Sequence, residues 1–365
     1  MIMDNYPDIL RTLVSIPSVS CNEEAAAAFL GKVLDGMGIA HANLGGNLVA
    51  INAKSDPSRP TLALDAHIDT VPANAGYTCS PFDSGNDPDV IRGLGSNDDG
   101  GSVVAMIAAF KEFYEEDIPI NLMLVLNREE EISGPEGDRW LYGTDGPFGP
   151  GKQFPNPDWV IIGEPTGMKA ATSERGLLVL DGLAEGISAH AAGDDGENAI
   201  LKALDDINTL RNHKFQRVSP TMGEVRLNIT MIEAGTAHNV IPDKCSFVAD
   251  IRPTEQYSCE EILSELQGIC KSRLSARSLD HRSSSTREGS PLLKAVKELG
   301  IETYSSPTTS NWTLIRQDAI KIGPGDSSRS HKADEYILVS EIQEAIDIYI
   351  RLIRTFYGNF MEQRH

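Results

Sequence analysis

The sequence predicts a protein of the α/β class, in which helices flank a mostly parallel, mixed sheet and a smaller α+β domain is inserted into the chain. Compact apolar runs at Thr61–Ala66, Asn121–Leu126 and Trp159–Ile162 predict buried strands. Helical patterns separate these runs, notably at Ser102–Tyr114. Buried strands that alternate with helices are typical of parallel sheets with both faces covered. In such sheets the chemistry gathers beyond the carboxyl ends of the strands.

The pattern changes beyond about residue 170. Val225–Met231 and Cys245–Ile251 alternate apolar with polar residues. This alternation predicts antiparallel strands with one face in water. Helical patterns near 197–211 and 259–274 accompany these strands. The later part of the chain therefore contains an α+β region of a different kind from the first.

A chain of 365 residues is longer than one ordinary core supports, which predicts two domains. The segment 282–287, rich in serine and arginine, has the composition of a linker that returns to the first domain. A last helix is predicted near 340–356. The predicted domains are a discontinuous one, residues 1–170 with 284–365, and an inserted one, residues 171–283.

One helix is predicted close to the amino terminus. Ser20-Cys21-Asn22-Glu23 fits a capping box, and apolar residues follow at helical spacing from Phe29 to Met37. Gly38 then provides a natural end to the helix.

Charge and composition restrict the partners of the protein. A net charge of -21 and a pI near 4.7 argue against nucleic acid and anionic membranes as partners. The charge mildly favours a cationic substrate, or is simply a solvated acidic surface. No apolar run is long enough to span a membrane, and Met1–Pro7 lacks the features of a secretory signal. With five cysteines that lack paired ligand spacing, we expect a cytoplasmic protein with reduced thiols.

His67 and Asp69 form a His-x-Asp motif at the end of the first apolar run. In a strand the residues on either side of x point to the same face. Asp69 could therefore hydrogen-bond the far ring nitrogen of His67, as carboxylates commonly do for metal-binding histidines. The alternative is a histidine and an aspartate that bond only to loop backbone.

Acidic residues also follow the other predicted strands. Asp98 and Asp99 lie in Gly-Leu-Gly-Ser-Asn-Asp-Asp-Gly-Gly just before a helix, where aspartate also serves as an N-cap. The triplet of residues 129–131, Glu-Glu-Glu, follows the second run. Three adjacent carboxylates are costly unless a cation or a proton relieves them, although a solvated acidic turn is the other interpretation.

Two further candidates complete a group of ligands. Glu164 follows the third apolar run in Gly-Glu-Pro, and His331 follows the glycine-containing segment Gly-Pro-Gly-Asp-Ser-Ser-Arg-Ser. Histidine and carboxylate ligands at strand ends suit zinc or a similar divalent ion, and several carboxylates suit two such ions. The sequence therefore predicts a centre for two metal ions.

In their order and spacing, these motifs resemble the dinuclear zinc aminoacylase and peptidase (M20) family over nearly the whole chain. The compact inserted domain and the Gly-Pro-Gly-Asp…His-Lys-Ala-Asp-Glu segment resemble the branch of acetylornithine deacetylases and N-acylcitrulline or N-acylornithine deacylases. The resemblance implies a zinc-exopeptidase-like catalytic domain. It also implies that the inserted domain is a ferredoxin-like lid and dimerisation domain.

The resemblance implies a role for each candidate residue. Glu130 would be the general base, and Asp69 would orient His67. Asp98 would bridge two divalent ions, of which zinc is expected first and cobalt or manganese next. The implied metal ligands are His67 and Glu164 for one ion, Glu131 and His331 for the other, and Asp98 for both.

The chain departs from the family pattern in two places. The family has Asp-Glu-Glu where residues 129–131 are all glutamate, so a slip of one residue would make Glu129 the base and Glu130 the ligand. The following Ile-Ser-Gly favours Glu130 and Glu131 in these roles. The family often has a basic residue after the bridging aspartate, whereas this chain has Asp99. The resemblance also implies a cis peptide bond between Asp98 and Asp99.

The resemblance also assigns residues outside the metal ligands. His190 would reach the active site of a partner subunit and contact the oxyanion, which makes a homodimer part of catalysis. Arg252 would bind the substrate carboxylate, since the planar arginine fork suits carboxylates. Asn239 would donate to the carbonyl or the carboxylate of the substrate. Asn311 stands where relatives commonly have aspartate, and a cationic substrate side chain would lose a partner there.

The resemblance implies an enzyme that removes an acetyl or succinyl group from a small N-acyl-L-amino acid. It makes N-acylornithine and N-acylcitrulline the expected substrates, which implies a role in arginine biosynthesis. Succinyl-diaminopimelate desuccinylase and a di- or tripeptidase are the enzyme alternatives. A catalytically silent metal-binding scaffold is the alternative of another class, because a fold does not determine a function.

Overall fold

A computed structural model describes residues 5–362. The chain forms two compact units. The first consists of the chain up to Thr172, Ser285–Tyr304 and the chain from Ile315 onward. The second consists of Ser173–Ser284 and Ser305–Leu314.

The elements within residues 5–362 are numbered in chain order. The strands are β1 His41–Leu44, β2 Asn47–Ile51, β3 Thr61–His67, β4 Val90–Arg92, β5 Asn121–Asn127, β6 Trp159–Ile162, β7 Ala170–Glu174, β8 Leu178–Glu185, β9 Ala189–His190, β10 Arg226–Ala234, β11 Val240–Ile241, β12 Lys244–Arg252, β13 Arg273–Ala276, β14 Ser284–Ser285, β15 Thr303–Ser306, β16 Asp318–Lys321 and β17 Tyr336–Leu338. The α-helices are α1 Tyr6–Val14, α2 Glu24–Gly36, α3 Gly100–Phe113, α4 Asp138–Leu141, α5 Ala199–Asn212, α6 Cys259–Gln267, α7 Pro291–Glu298 and α8 Val339–Glu362. Short 3₁₀ helices occur at Glu130–Ile132 and Asn311–Thr313.

The large sheet is mixed, with its parallel strands at the centre. Its order is β1-β2-β5-β3-β6-β16-β7-β14, and β15 pairs with β7. The neighbours β5, β3, β6 and β16 are parallel, whereas β2 and β7 join this group in antiparallel fashion. Every residue of β3 and β5 is buried, as expected of strands covered on both faces. The predicted α/β fold with a mixed sheet flanked by helices is confirmed.

Helix α3 lies in the core of the first unit, and nearly all of its residues are buried. It packs against α8, α1 and the strand β3. Glycine, serine and alanine make up 6 of the 14 residues of α3, which lets its neighbours approach the helix backbone closely. Among the described residues, no helix combines the length and the apolar character that crossing a bilayer requires.

The predicted capping box at Ser20 is wrong. Helix α2 begins at Glu24, and its N-cap makes no side-chain hydrogen bond of the capping kind. The chain turns instead at Cys21, whose φ is 71°. The Ser20 hydroxyl donates to Asp69 at 2.7 Å, and the Glu23 carboxylate accepts from the Cys21 amide at 2.8 Å. Both polar side chains therefore bond to groups outside the helix.

The second unit contains an antiparallel sheet in the order β10-β12-β8-β13. Alternate residues of β12 are buried, as the sequence pattern predicts. In β10 the alternation is interrupted by a register shift between Ile229 and Met231, and both Met231 and Ile232 are more than half exposed. Helices α5 and α6 contribute to the core of this unit.

Three local boundaries differ from the sequence predictions. The helix predicted at 259–274 ends at Gln267, because the chain then turns at Gly268 and continues as β13. The predicted linker at 282–287 contains the strand β14. Ser305–Leu314, predicted with the first domain, belongs to the second unit. There Thr309 Oγ1 donates to the Arg175 carbonyl at 2.8 Å, so side-chain hydrogen bonds attach this segment.

Candidate metal centre

The strand ends of the first unit bring the predicted ligands together. His67 is the last residue of β3, Glu130 follows β5, and Glu164 follows β6. Because β5, β3 and β6 are parallel neighbours, their carboxyl ends lie at one edge of the sheet. His67, Glu130 and Glu164 form one cluster, in which candidate ligand atoms lie within 4.8 Å of one another. Glu130, predicted as the general base, thus also contributes an oxygen to this cluster.

A second cluster lies in the same unit. It consists of Asp98, Glu131 and His331, again with candidate ligand atoms within 4.8 Å of one another. His331 Nε2 is 2.9 Å from Glu131 Oε2 and 3.7 Å from Asp98 Oδ2. His331 has a φ of 59°, in the left-handed region. Glu129 is part of neither cluster, and this arrangement favours the register in which Glu130 and Glu131 face the centre.

Asp98 connects the two clusters through its two carboxylate oxygens. Oδ1 lies 3.2 Å from His67 Nε2, and Oδ2 lies 3.7 Å from His331 Nε2. A carboxylate with one oxygen toward each cluster has the geometry expected of a bridging ligand. The predicted cis peptide bond between Asp98 and Asp99 is confirmed.

Asp69 holds several groups of the centre at once. Its backbone carbonyl lies 3.0 Å from His67 Nδ1, and its Oδ1 lies 3.4 Å from the same nitrogen. The carboxylate accepts hydrogen bonds from the backbone amides of Glu130 at 3.0 Å and Glu131 at 3.2 Å. The Ser20 hydroxyl donates to it as well. Asp69 thus contacts both His67 and the turn that carries the glutamates.

Burial dominates the electrostatics of the acidic residues. It raises the pKa of Glu130 to about 8; the charge of His67 opposes this rise, and the neighbouring carboxylates add to it. Burial and neighbouring carboxylates also raise the pKa of Glu164 well above its usual value. A hydrogen bond to Glu131 is the main cause that raises the pKa of His331 to about 9. Cations relieve such crowding of buried carboxylates.

The residues of the two clusters fit a pair of divalent cations. Three ligand atoms within 4.8 Å of one another need only small side-chain shifts to surround one ion at the usual distances of about 2.0–2.2 Å. The donors are imidazole nitrogens and carboxylate oxygens, which suit zinc and also cobalt or manganese. Histidine accounts for one donor of each cluster and carboxylates for the rest.

Several supporting residues were not predicted. Glu335 is buried, and its Oε1 accepts hydrogen bonds from the backbone amides of Asn97 and Asp98, both at 2.9 Å. The Asn97 side chain donates to the Asp326 carbonyl at 3.1 Å and to Ser330 Oγ at 3.3 Å. These bonds join the Asp98 loop to the loop before His331. In sequence Glu335 is one acid among many, so only proximity in space identifies it.

His190 and Asn239 lie in the second unit and are exposed. They come together through the strands β9 and β11, in which His190 pairs with Val240. The Ala191 amide donates to the Asn239 carbonyl at 3.0 Å, and His190 Nδ1 accepts from the Ala192 amide at 3.1 Å. The oxyanion role of His190 and the carboxylate role of Asn239 stay predictions.

Arg252 and Asn311 also lie in the second unit. Arg252 is the last residue of β12, and Asp250 holds its guanidinium through Nε at 2.8 Å and Nη2 at 3.1 Å. Its remaining nitrogen, Nη1, lies 3.4 Å from Thr309 Oγ1. Asn311 is buried in a 3₁₀ helix. Substrate binding by these two residues stays a prediction.

Comparisons of the sequence with known proteins agree on one family. The model of Peptidase family M20/M25/M40 matches residues 63–355. A protein of Emericella nidulans named probable carboxypeptidase is 27% identical, covering 94% of this chain and 87% of its own. Succinyl-diaminopimelate desuccinylase of Delftia acidovorans is 26% identical, and the match covers 96% of this chain and 98% of that protein. A Pyrobaculum aerophilum protein named as a LysW-lysine/LysW-ornithine hydrolase is 28% identical, covering 82% of each chain.

Solved structures share the fold. An M20 family metallo-carboxypeptidase from Sulfolobus solfataricus matches with a TM-score of 0.74 and 16% identity, covering 97% of this chain and 99% of that chain. A Bacillus subtilis protein described as a dinuclear metal-binding peptidase of the M20 family matches with a TM-score of 0.68 and 16% identity, covering 97% of each chain. At these identities the likeness concerns the fold alone.

Proposed function

The chain belongs to Peptidase family M20/M25/M40, and from this premise we propose that it removes an acetyl or succinyl group from an N-acyl-L-amino acid. The family makes the chain a metal-dependent hydrolase of amide bonds. N-acylornithine and N-acylcitrulline are the substrates proposed. The observation that carries the proposal is the pair of ligand clusters that Asp98 connects.

The cofactor proposed is a pair of divalent ions, with zinc first and cobalt or manganese as the alternatives. When bound, such ions lower the pKa of a water molecule, polarise a carbonyl group and orient the substrate. The residues that would hold them are His67, Asp98, Glu131, Glu164 and His331.

Glu130 is proposed as the group that moves protons. Its carboxylate would take a proton from the attacking water and then donate it to the nitrogen of the leaving amine. The second transfer is needed because an amine leaves as a strong base. Asp69 supports this role, since it holds the backbone amide of Glu130 at 3.0 Å and faces His67.

Arg252 is proposed to bind the α-carboxylate of the substrate. Asp250 binds Nε and Nη2 of the guanidinium, whereas Nη1 has only a long contact of 3.4 Å with Thr309 Oγ1 among the contacts described above. Asn239 is proposed as a second donor to the carboxylate or carbonyl oxygen. Asn311 carries no charge where relatives commonly have aspartate, which favours a neutral side chain such as that of citrulline over a cationic one.

A homodimer is proposed as the functional form. Within the described residues, β10 is an edge strand of its sheet, and it carries the exposed apolar residues Met231 and Ile232. Such an edge favours pairing with another chain. His190 is exposed on the same unit and would act on the partner's substrate. Mixing inactive His190→Ala and Glu130→Gln proteins tests this: mixed dimers would regain activity only if His190 acts across subunits.

Desuccinylation of succinyl-diaminopimelate is the second candidate. The similarity to the Delftia acidovorans desuccinylase, over nearly the full length of both chains, favours it. Among the named relatives, the Pyrobaculum aerophilum hydrolase is the one whose name includes ornithine. The two candidates differ in the side chain and acyl group that the protein must recognise, and not in the bond that is broken.

A panel of substrates tests the proposal. Protein loaded with zinc, cobalt or manganese would be assayed on the N-acetyl and N-succinyl derivatives of ornithine and citrulline, on N-succinyl-diaminopimelate and on a dipeptide. Preferred cleavage of an ornithine or citrulline derivative is the expected result. Cleavage of the diaminopimelate compound or the dipeptide alone would replace the proposal by that alternative. If the protein bound two metal ions but cleaved none of these compounds, the catalytically silent scaffold would be the remaining interpretation.

A further inference from the structure

We infer that a buried group of three charged side chains, Glu23, Arg128 and Glu129, positions Glu130 and Glu131 for catalysis. We call this group the anchor triad. The inference rests on the proposed function, because it concerns the turn that carries the proposed base and a proposed metal ligand. Neither composition nor spacing in the sequence indicates the triad.

Arg128 is the centre of the triad. It directly follows β5, and its side chain is 8% exposed. Nη2 lies 2.9 Å from the Glu23 carboxylate, which is fully buried, and 3.5 Å from Glu129 Oε1. Nη1 donates to the Gly45 carbonyl at 2.8 Å and lies 3.1 Å from Glu136. Arg128 thus joins the first residue of the turn to Glu23 and Gly45, which are remote in the sequence, and to Glu136 beyond the turn.

Glu129 makes the turn itself. Its φ of 59° lies in the left-handed region, which a residue other than glycine adopts only when its surroundings hold it there. Its side chain is nearly buried, and its Oε2 accepts a hydrogen bond from the Glu136 amide at 2.9 Å. Its own amide lies 3.3 Å from Glu23 Oε1. Glu129 therefore closes the loop of residues 129–136 at both ends.

The contacts of Glu129 require the length of a glutamate side chain. The side chain must reach both the Arg128 guanidinium and the Glu136 amide, and aspartate is shorter by one methylene group. The space for the longer side chain comes from Gly134. A Cβ atom at Gly134 would lie 2.6 Å from Glu129 Cβ and 2.8 Å from its Cδ. Both distances are shorter than Cβ atoms in proteins normally adopt toward non-bonded atoms.

The triad acts on the next two residues of the chain. The amides of Glu130 and Glu131 donate to Asp69, so the turn is fixed by Asp69 on one side and by the anchor triad on the other. Release of the triad would remove the side-chain contacts that hold the turn on the side away from Asp69. A displacement of about 1 Å at a reacting group can cost on the order of 10²-fold in rate. Arg128, Glu23 and Glu129 are thus positioning residues.

Two single variants and their combination test the inference. Glu129→Gly removes the whole side chain while glycine accepts the positive φ, and Gly134→Ala displaces the side chain without changing it. Each is expected to lower kcat by roughly 10- to 100-fold with KM within about twofold, as for other residues that orient metal ligands. The three atoms nearest to the methyl group added at Gly134 all belong to Glu129. The double variant should therefore be no slower than Glu129→Gly.

Control variants distinguish misplacement of the turn from a general loss of stability. Gly358→Ala adds the same methyl group where no atom lies within 4 Å, and it should leave kcat unchanged. Glu129→Gln keeps the length and the acceptor for the Glu136 amide but loses the charge that faces Arg128, so its kcat should lie between those of the parent and Glu129→Gly. Thermal unfolding would be measured for each protein, so that kcat refers to folded enzyme.

Cobalt titration by calorimetry provides a readout that does not depend on turnover. Displacement of Glu131 should weaken binding of one of two cobalt ions by about 10-fold or more in Glu129→Gly and Gly134→Ala. Unchanged cobalt affinity together with unchanged kcat would overturn the inference, as would additive losses in the double variant. If the parent protein cleaved no compound of the panel, the proposed function would fail, while the titration would still decide on the triad.

Discussion

Replacement of Asp69 by asparagine tests whether one buried carboxylate holds both parts of the metal centre. The Asp69 side chain is fully buried and lies 3.4 Å from His67 Nδ1. It also accepts hydrogen bonds from Ser20 and from the amides of Glu130 and Glu131. Asparagine has nearly the same size but only one acceptor oxygen, so the variant changes the hydrogen bonds while leaving the packing intact.

The size of the effect follows from these contacts. With its nitrogen in place of Oδ2, the amide would face the Glu131 amide, another donor, now at 3.2 Å. Rotation of the asparagine amide by about 180° would instead place its nitrogen against the backbone amide of Glu130, which is also a donor. A buried donor without an acceptor costs about 1–3 kcal/mol, and weakening the remaining charge-assisted bonds adds about 1 kcal/mol. We expect the free energy of unfolding to fall by about 2–4 kcal/mol.

Metal binding and turnover should change as well. Residues that orient metal ligands typically affect metal affinity or activity by about 10- to 100-fold when they are replaced. The assay combines urea unfolding, zinc or cobalt titration by calorimetry, and kcat and KM on the best substrate of the panel. Asp69→Asn should bind metal more weakly and turn over more slowly than the parent protein.

Asp158→Asn is the matched control. Asp158 is exposed and accepts a hydrogen bond from the Thr61 amide at 2.8 Å, at the opposite end of the strand that carries His67. It should lose less than about 1 kcal/mol of stability and keep its metal affinity and kcat. If Asp69→Asn lost stability but bound metal and turned over as the parent does, the orienting role of Asp69 would be refuted.

The remaining predictions concern the ions and their supports. Glu130→Gln should lower kcat by at least about 100-fold while two ions remain bound, because it removes proton transfer; metal analysis and rates check this, and an active variant would exclude Glu130 as the base. His331→Ala should bind one ion tightly and the other weakly, as measured by calorimetry, whereas two tight ions would remove His331 from the ligands. Chelation should abolish activity, and zinc, cobalt or manganese should restore it; activity that survives complete metal removal would contradict the mechanism. Glu335→Ala should lower the free energy of unfolding by about 2–4 kcal/mol because two amides lose their acceptor. Glu335→Gln keeps Oε1, and its free energy of unfolding should be close to that of the parent protein. Equal losses of the two variants in urea unfolding would contradict this account.

Local patterns account for the parts of the fold that the sequence predicts well. The strands β3, β5 and β6 are mostly apolar because both faces of the central sheet are covered. A local pattern of this kind also shows where each strand ends. The residues at or just beyond these ends, His67, Glu130 and Glu164, could therefore be predicted as neighbours from the order of residues along the chain.

Contacts between distant segments account for what the sequence did not predict. Ser20 and Glu23 form a plausible capping box by spacing, yet Ser20 bonds to Asp69, 49 residues away, and Glu23 pairs with Arg128. Glu335 supports the Asp98 loop from 237 residues away. The exposure of Met231 and Ile232 depends on a bulge that the alternating pattern does not reveal.

The sequence by itself determined the class of the fold, the strand ends and the residue types of the metal centre. These depend on periodicity and on the order of residues along the chain. Only the tertiary structure decided that Asp98 faces both clusters, that Asp69 holds the glutamate turn, and that Arg128 joins Glu23 to Glu129. The physical reason is that hydrogen bonds and ion pairs act over about 3–4 Å, and a chain folded in three dimensions brings together groups that no local pattern relates.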